Sequence, residues 1–265
     1  MTAPEFPAEV AGLLGRLRDR LAERADVIGV YVYGSLVTGD YSPAASDIDV
    51  VALMGSEPDE TATRELTELH TALARTGGPA GQLHCLYVAA DAASDPERLC
   101  TYWFGDQMTQ WQLKLLTQAE LAEGGVALYG PWPPPGIEPP PLADLQAAVH
   151  AEATGYWRDI SRKRKLWLYD TWVDHALVVL PRAEALLTSG EFISKGEAIR
   201  RLPGFGVPAA LAAEIRARRD GRPVTLSRPG RLVRAIRARR AMQAGVGRLS
   251  RLAPPASPPG NPAPQ

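Results

Sequence analysis

Two aspartates stand at the head of an apolar run, "SDIDVVALM" at residues 46–54, and they restrict the fold more than any other feature of the chain. The β-branched and aliphatic residues after them predict a buried strand. Residues two apart in a strand share a side, so Asp47 and Asp49 project together while Ile48 and Val50 face the other way. Adjacent carboxylates repel, and burying them unpartnered is costly or forces one to keep its proton. A hard divalent cation removes the conflict, because Mg²⁺ prefers carboxylate oxygens, phosphate oxygens and water. The pair therefore points to a strand end that opens onto metal and phosphate.

The residues upstream fit that requirement. "VIGVYVYG" at residues 27–34 predicts a strand that ends in Gly34 and Ser35. A glycine lets phosphate approach backbone amides, a serine hydroxyl can donate to phosphate oxygen, and a short helix after them would favour anions at its N-terminus. Taken alone, Gly-Ser is equally a strand end with a helix N-cap. Residues 9–25 and 59–78 show helical periodicity, and "QLHCLYVA" predicts a further strand. Residues 95–125 predict helical or mixed structure. The proline-rich "VALYGPWPPPGIEPPPL" is expected to be a hinge, since it can continue neither a helix nor a central strand. Beyond it the pattern is helical, beginning with one long segment over residues 142–170. We expect domains at 1–135 and 141–252, and a disordered tail at 253–265 whose composition is too poor in large apolar residues to pack.

Charge is unevenly spread. The 265-residue chain has a net charge of -1, yet residues 195–251 carry 15 Lys/Arg against Glu197, Glu214 and Asp220, leaving that stretch at +12 and the remainder at -13. Clustered arginine suits phosphate backbones, but no aromatics are interleaved for base stacking, so nucleic acid is not the expected partner. No apolar run is long enough to span a membrane and no charged-then-apolar leader opens the sequence, so we expect a cytoplasmic protein. Cys85 and Cys100 lack CxxC spacing and read as reduced core thiols.

In order and spacing, "YGSLVTGDYSPAASDIDVVAL" resembles the signature of the nucleotidyltransferase superfamily that includes DNA polymerase beta. The resemblance implies an α/β fold: a mixed-sheet polymerase beta-like catalytic domain, followed here by an all-α helical bundle domain. It implies Asp47 and Asp49 as metal ligands and catalytic residues, and Gly34, Ser35 and Ser46 as nucleotide-binding residues. It also implies transfer of a nucleoside monophosphate with release of pyrophosphate. Within the superfamily, "VALYGPWP" and "LTSGEFISKGEA" resemble segments of the bacterial adenylyltransferases that modify streptomycin and spectinomycin. That resemblance implies ATP as co-substrate, Mg²⁺ or Mn²⁺ as cofactor, a small-molecule acceptor, and a monomer. Arg182 and Lys195 match the family's phosphate-contacting arginine and lysine.

Two positions depart from the family pattern. His84 stands where the family has a glutamate general base; imidazole can act as a base near neutral pH, and ligates Mn²⁺ better than Mg²⁺. The family's drug-binding aspartate falls near Trp172, leaving Asp174 as the substitute, and Trp111, with Trp103 nearby, as the aromatic against the acceptor. Two alternatives stand beside a small-molecule acceptor. One is a protein acceptor, as in toxin-like nucleotidyltransferases; the other is a nucleotide-binding sensor or interaction protein that no longer turns over.

Overall fold

Residues 5–252 are described in the computed structural model of the chain. They fall into two compact units that divide at Pro140/Pro141. The tail, expected to be disordered, lies outside the described residues.

The first unit is built on one six-stranded sheet. Its elements run α1 (Ala8–Ala22), β1 (Val27–Tyr33), β2 (Ile48–Met54), α2 (Glu60–Ala74), β3 (Leu83–Ala89), β4 (Leu99–Phe104), β5 (Gln107–Gln112), α3 (Leu115–Gly124) and β6 (Val126–Tyr129). The strand order is β5-β4-β3-β2-β1-β6. Only β2 and β3 pair in parallel, which is why a helix, α2, must connect them. Asp59 caps that helix by accepting from the Ala62 N–H at 2.8 Å.

Each sheet face has its own core. On one, Val30, Val32, Val50, Cys85 and Trp103 pack with Leu13, Leu17 and Leu21 of α1 and with Leu66 and Leu73 of α2. On the other, Tyr31, Val51, Leu86 and Cys100 pack with Leu113 and Leu121 around α3. The helix-side core contains one polar device. His70 is 1% exposed, its Nε2 lies 2.7 Å from the Tyr87 hydroxyl, and its ring stacks on Trp103 at 4.7 Å.

The second unit is helical: α4 (Leu142–Thr154), α5 (Tyr156–Arg162), α6 (Asp170–Ser189), α7 (Lys195–Arg201), α8 (Ala209–Arg219) and α9 (Arg228–Leu249). Its core gathers Trp157, Trp167, Leu177, Leu180, Ile199, Leu211, Ala238 and Met242. The Leu180 side chain of α6 packs directly onto Gly245 of α9, where a Cβ would stand 2.4 Å from Leu180 Cδ1. Two arginines tie the start of α6 in place. Arg218 grips Asp174 through Nε at 2.7 Å and Nη2 at 2.6 Å, and the buried Arg234 pairs with Asp170 while donating to Leu168 O at 3.1 Å.

Three local expectations change. Within the stretch expected to be helical or mixed, residues 99–112 form a hairpin, because "LCTYWF" is strand-forming and Gly105, at φ +67°, supplies the two-residue turn. The hinge segment begins with β6, which pairs antiparallel to β1 before the prolines take over. The helix expected over residues 142–170 breaks at Gly155, whose φ of -102° and ψ of -88° are not helical.

Burial holds the His70 pKa down, to about 3. The unfolded chain binds that proton near pH 6.5, so the contribution of His70 is fully present above about pH 6.5 and is lost as pH falls toward 3, by about 1.4 kcal/mol per pH unit. His70→Phe is expected to remove one proton's worth of this slope. Urea unfolding followed by tryptophan fluorescence between pH 7 and pH 4 measures it; equal slopes in both proteins would contradict the assignment.

Candidate active site

Three adjacent strands assemble the site. β2 lies between β1 and β3, so Asp49 is opposite Tyr33 on one side and His84 on the other. Residues in register share a sheet face, and Asp47, two before Asp49 and one before β2 begins, joins them. His84 Nε2 lies 3.8 Å from Asp47 Oδ1, and Nδ1 lies 3.7 Å from Asp49 Oδ1. The imidazole is mostly covered, Asp49 is partly covered, and about half of the Asp47 side chain is open to solvent. A ligand can therefore reach the carboxylates from one side.

The turn after β1 completes the approach. Gly34 has φ +73°, and a Cβ there would stand 3.0 Å from Asp49 Oδ2, so glycine is required both for conformation and for proximity. The short helix expected after β1 is three residues of 3₁₀ helix, Gly34–Leu36. Any anion would thus meet local N–H groups rather than the summed dipole of a longer helix. Ser35 lies in this turn, and its carbonyl accepts from the Asp40 N–H at 3.1 Å. Ser46 is buried; its Oγ accepts from the Ser42 N–H at 2.9 Å and its own N–H donates to Ser42 O at 2.8 Å, closing the loop that presents Asp47.

Beside His84 lies an aromatic ledge. Phe104 packs at 4.7 Å and Tyr102 edge-on at 6.0 Å; Tyr102 in turn meets Trp111 at 6.5 Å. Phe104 and Trp111 are half exposed, and Lys114 Nζ sits 5.2 Å over the Trp111 ring. Burial, reinforced by the charge of Asp49, raises the phenol pKa of both Tyr33 and Tyr102, so both are neutral donors at neutral pH. Trp103 faces the opposite core and stacks on His70, which removes it as an acceptor contact. Tyr102 and Phe104 were not singled out in the sequence; the alternation in "TYWF" was the available signal.

Among the described residues no three His, Cys, Asp or Glu side chains converge closely enough to hold a metal by themselves. The two carboxylates fit a hard divalent cation whose other ligands are phosphate oxygens and water. They do not form a closed all-protein cage.

In the second unit, Arg182 on α6 and Lys195 at the start of α7 come together around His175. Arg182 Nε donates to Ile193 O at 3.2 Å, and burial with the charges of Lys195 and Arg182 lowers the His175 pKa to about 4. His175 also packs against Trp157 at 5.4 Å. Its position seven residues before Arg182, on one helix face, was the sequence signal. Asp174 is a different matter: both oxygens of its carboxylate accept from Arg218, one from Nε and one from Nη2, and burial outweighs that partner and raises its pKa. It offers no free negative charge for an acceptor's amino group.

Residues 14–114 match the family model described as "Nucleotidyltransferase domain". The match covers 101 of the 265 residues and lies within the first unit. No curated protein sequence matches the chain significantly. Among solved structures it resembles the spectinomycin adenyltransferase AAD(9) from Enterococcus faecialis, determined with ATP and spectinomycin. The TM-score is 0.63 at 12% identity, over 88% of this chain and 99% of that one. The likeness of fold thus extends beyond the residues matched by the family model and into the helical unit.

Gly34→Ala places a Cβ in a left-handed conformation and against Asp49. It is expected to cost about 1–2 kcal/mol of stability. Urea denaturation of the variant checks this, and an unchanged midpoint would mean that the turn relaxes freely.

Proposed function

We propose that the protein transfers AMP from ATP to a hydroxyl of a small-molecule acceptor, with release of pyrophosphate. The observation that carries the reading is the grouping of Asp47, Asp49 and His84 on one sheet face beside the Gly34 turn. Asp47 and Asp49 would hold Mg²⁺ or Mn²⁺, which supplies charge neutralisation at the phosphates and the departing pyrophosphate. Backbone N–H groups of the Gly34–Ser35 turn would hold phosphate oxygens next to them. His84 would take the proton of the attacking hydroxyl; that proton would then lie within ion-pair distance of both carboxylates. Arg182 and Lys195 supply cations suited to a triphosphate.

The acceptor class is argued from the fold and from exposed aromatic surface. The similar solved structure was determined with spectinomycin, and an aminoglycoside-type antibiotic is the acceptor we propose first. Trp111 and Phe104 offer a half-exposed ledge beside His84 against which a ring could pack. Because Arg218 holds Asp174, recognition of the acceptor rests on this ledge rather than on that carboxylate.

Pyrophosphate release from ATP, in Mg²⁺ and in Mn²⁺, across a panel of aminoglycosides including streptomycin and spectinomycin, tests the proposal. Asp47→Asn and Asp49→Asn are expected to abolish acceptor-dependent release without loss of fold. His84→Ala is expected to lower kcat by about 10²–10⁴-fold, with His84→Glu recovering part of it. Full activity in either asparagine variant would refute the metal site. Tight ATP binding without release on any acceptor would favour the non-catalytic nucleotide sensor.

A further inference from the structure

Helix α9 has two apolar faces, and only one is buried. Ala235, Ala238, Ala241, Met242, Gly245, Val246 and Leu249 pack into the bundle. On the opposite arc Leu232, Val233 and Ile236 are 55%, 46% and 41% exposed. Next to this arc runs a shallow groove of about 310 Å³ between α9 and the 205–208 turn. Phe205, Pro208, Ala241 and Ala244 form its apolar walls, and Arg237 and Arg240 stand at its rim.

The charge around this surface is one-sided. No acidic residue follows Asp220 in the sequence. Arg222, Arg234 and Arg248 have carboxylate partners in Asp220, Asp170 and Glu184, so these charges are used internally. Among the described residues Arg228, Arg231, Arg237, Arg239 and Arg240 make no salt bridge, and Arg228, Arg231, Arg237 and Arg240 are exposed. An occupant must therefore bring negative charge to the rim and apolar side chains to the groove.

We propose that this face of α9 docks an acidic, amphipathic helical segment of a partner protein. A nucleic-acid backbone meets the arginines but has nothing to place in an apolar groove or against Leu232 and Ile236. A lipid surface meets arginines and exposed aliphatics but leaves a concave groove unfilled. A helix with leucine anchors at i, i+4 and glutamates on either side satisfies both features, with anchors in the groove and carboxylates at Arg237 and Arg240. The surface needs nothing from the carboxylate site and stands whether or not that site turns over.

The test uses the full chain and a fluorescein-labelled synthetic peptide with leucine at i, i+4 positions and glutamate elsewhere, read by anisotropy. Saturable binding is expected, weakened by salt and reduced about tenfold or more by Arg237→Glu with Arg240→Glu, and separately by Ile236→Ser. Circular dichroism of the variants confirms that the bundle is intact. The same peptide with glutamine for glutamate should bind at least tenfold more weakly. Three results would overturn the proposal. They are no binding of the acidic peptide, tighter binding of single-stranded RNA or phosphatidylserine vesicles than of the peptide, or a concentration-dependent dimer by light scattering that the arginine pair disrupts, which would make the occupant a second copy of this chain.

Discussion

The parallel pairing of β2 with β3 is the constraint on which the site depends. Every other neighbouring pair in the sheet is antiparallel, and antiparallel neighbours can be joined by short turns. The parallel pair needs a crossover, and α2 provides it, which also covers one face of the sheet with Leu66, His70 and Leu73. Its register then fixes Asp49 beside His84. A slip of one residue would turn His84 toward the α2 core and bring Leu83 or Cys85 next to the carboxylates. The buried contact of His70, Tyr87 and Trp103 lies across that same stretch of β3, so the device that locks the helix face also holds the register on the site face.

The opposite face is incompletely covered. Near α3 it is closed by Leu113 and Leu121, while toward β4 and β5 the covering stops and Phe104 and Trp111 stay half exposed. This boundary is where Asp49 and His84 sit. Carboxylates deeper under α3 would have no route to water or metal; carboxylates on the hairpin would have no walls. The hairpin therefore does two things: it protects the edge of β3 and supplies the aromatic ledge.

The sheet's central strands and the two aspartates were legible in the sequence, because β-branched runs and a single D-x-D at a strand start leave few alternatives. The hairpin was less so. "TYWFGDQMTQWQ" mixes strand-forming residues with a hydrophobic spacing that also suits a helix, and only the glycine after Phe104 distinguishes the two. Asp174 illustrates a limit of another kind. Its partner Arg218 is 44 residues away on a different helix, and no local pattern joins them. The family resemblance offered Asp174 as a substitute acceptor ligand, whereas tertiary packing makes it the anchor of α8 on α6. His175 was missed for the same reason: its neighbours Lys195 and Trp157 are close only after folding.

On the proposed reading, the histidine at position 84 changes more than the identity of a base. A third carboxylate would add a negative charge to Asp47 and Asp49 and favour the hardest cation available. Histidine in that place adds no third carboxylate, so the cation's hold on the protein would be weaker and more of it would rest on the nucleotide's own phosphates. This shifts the balance from a resident metal toward one that arrives with ATP. It also agrees with the open side of the pair, where Asp47 remains half exposed and, among the described residues, no third carboxylate, cysteine or histidine groups with them to hold a metal. Metal and nucleotide would then bind as one unit, with the Gly34 turn meeting the negative phosphates and the two aspartates the cation.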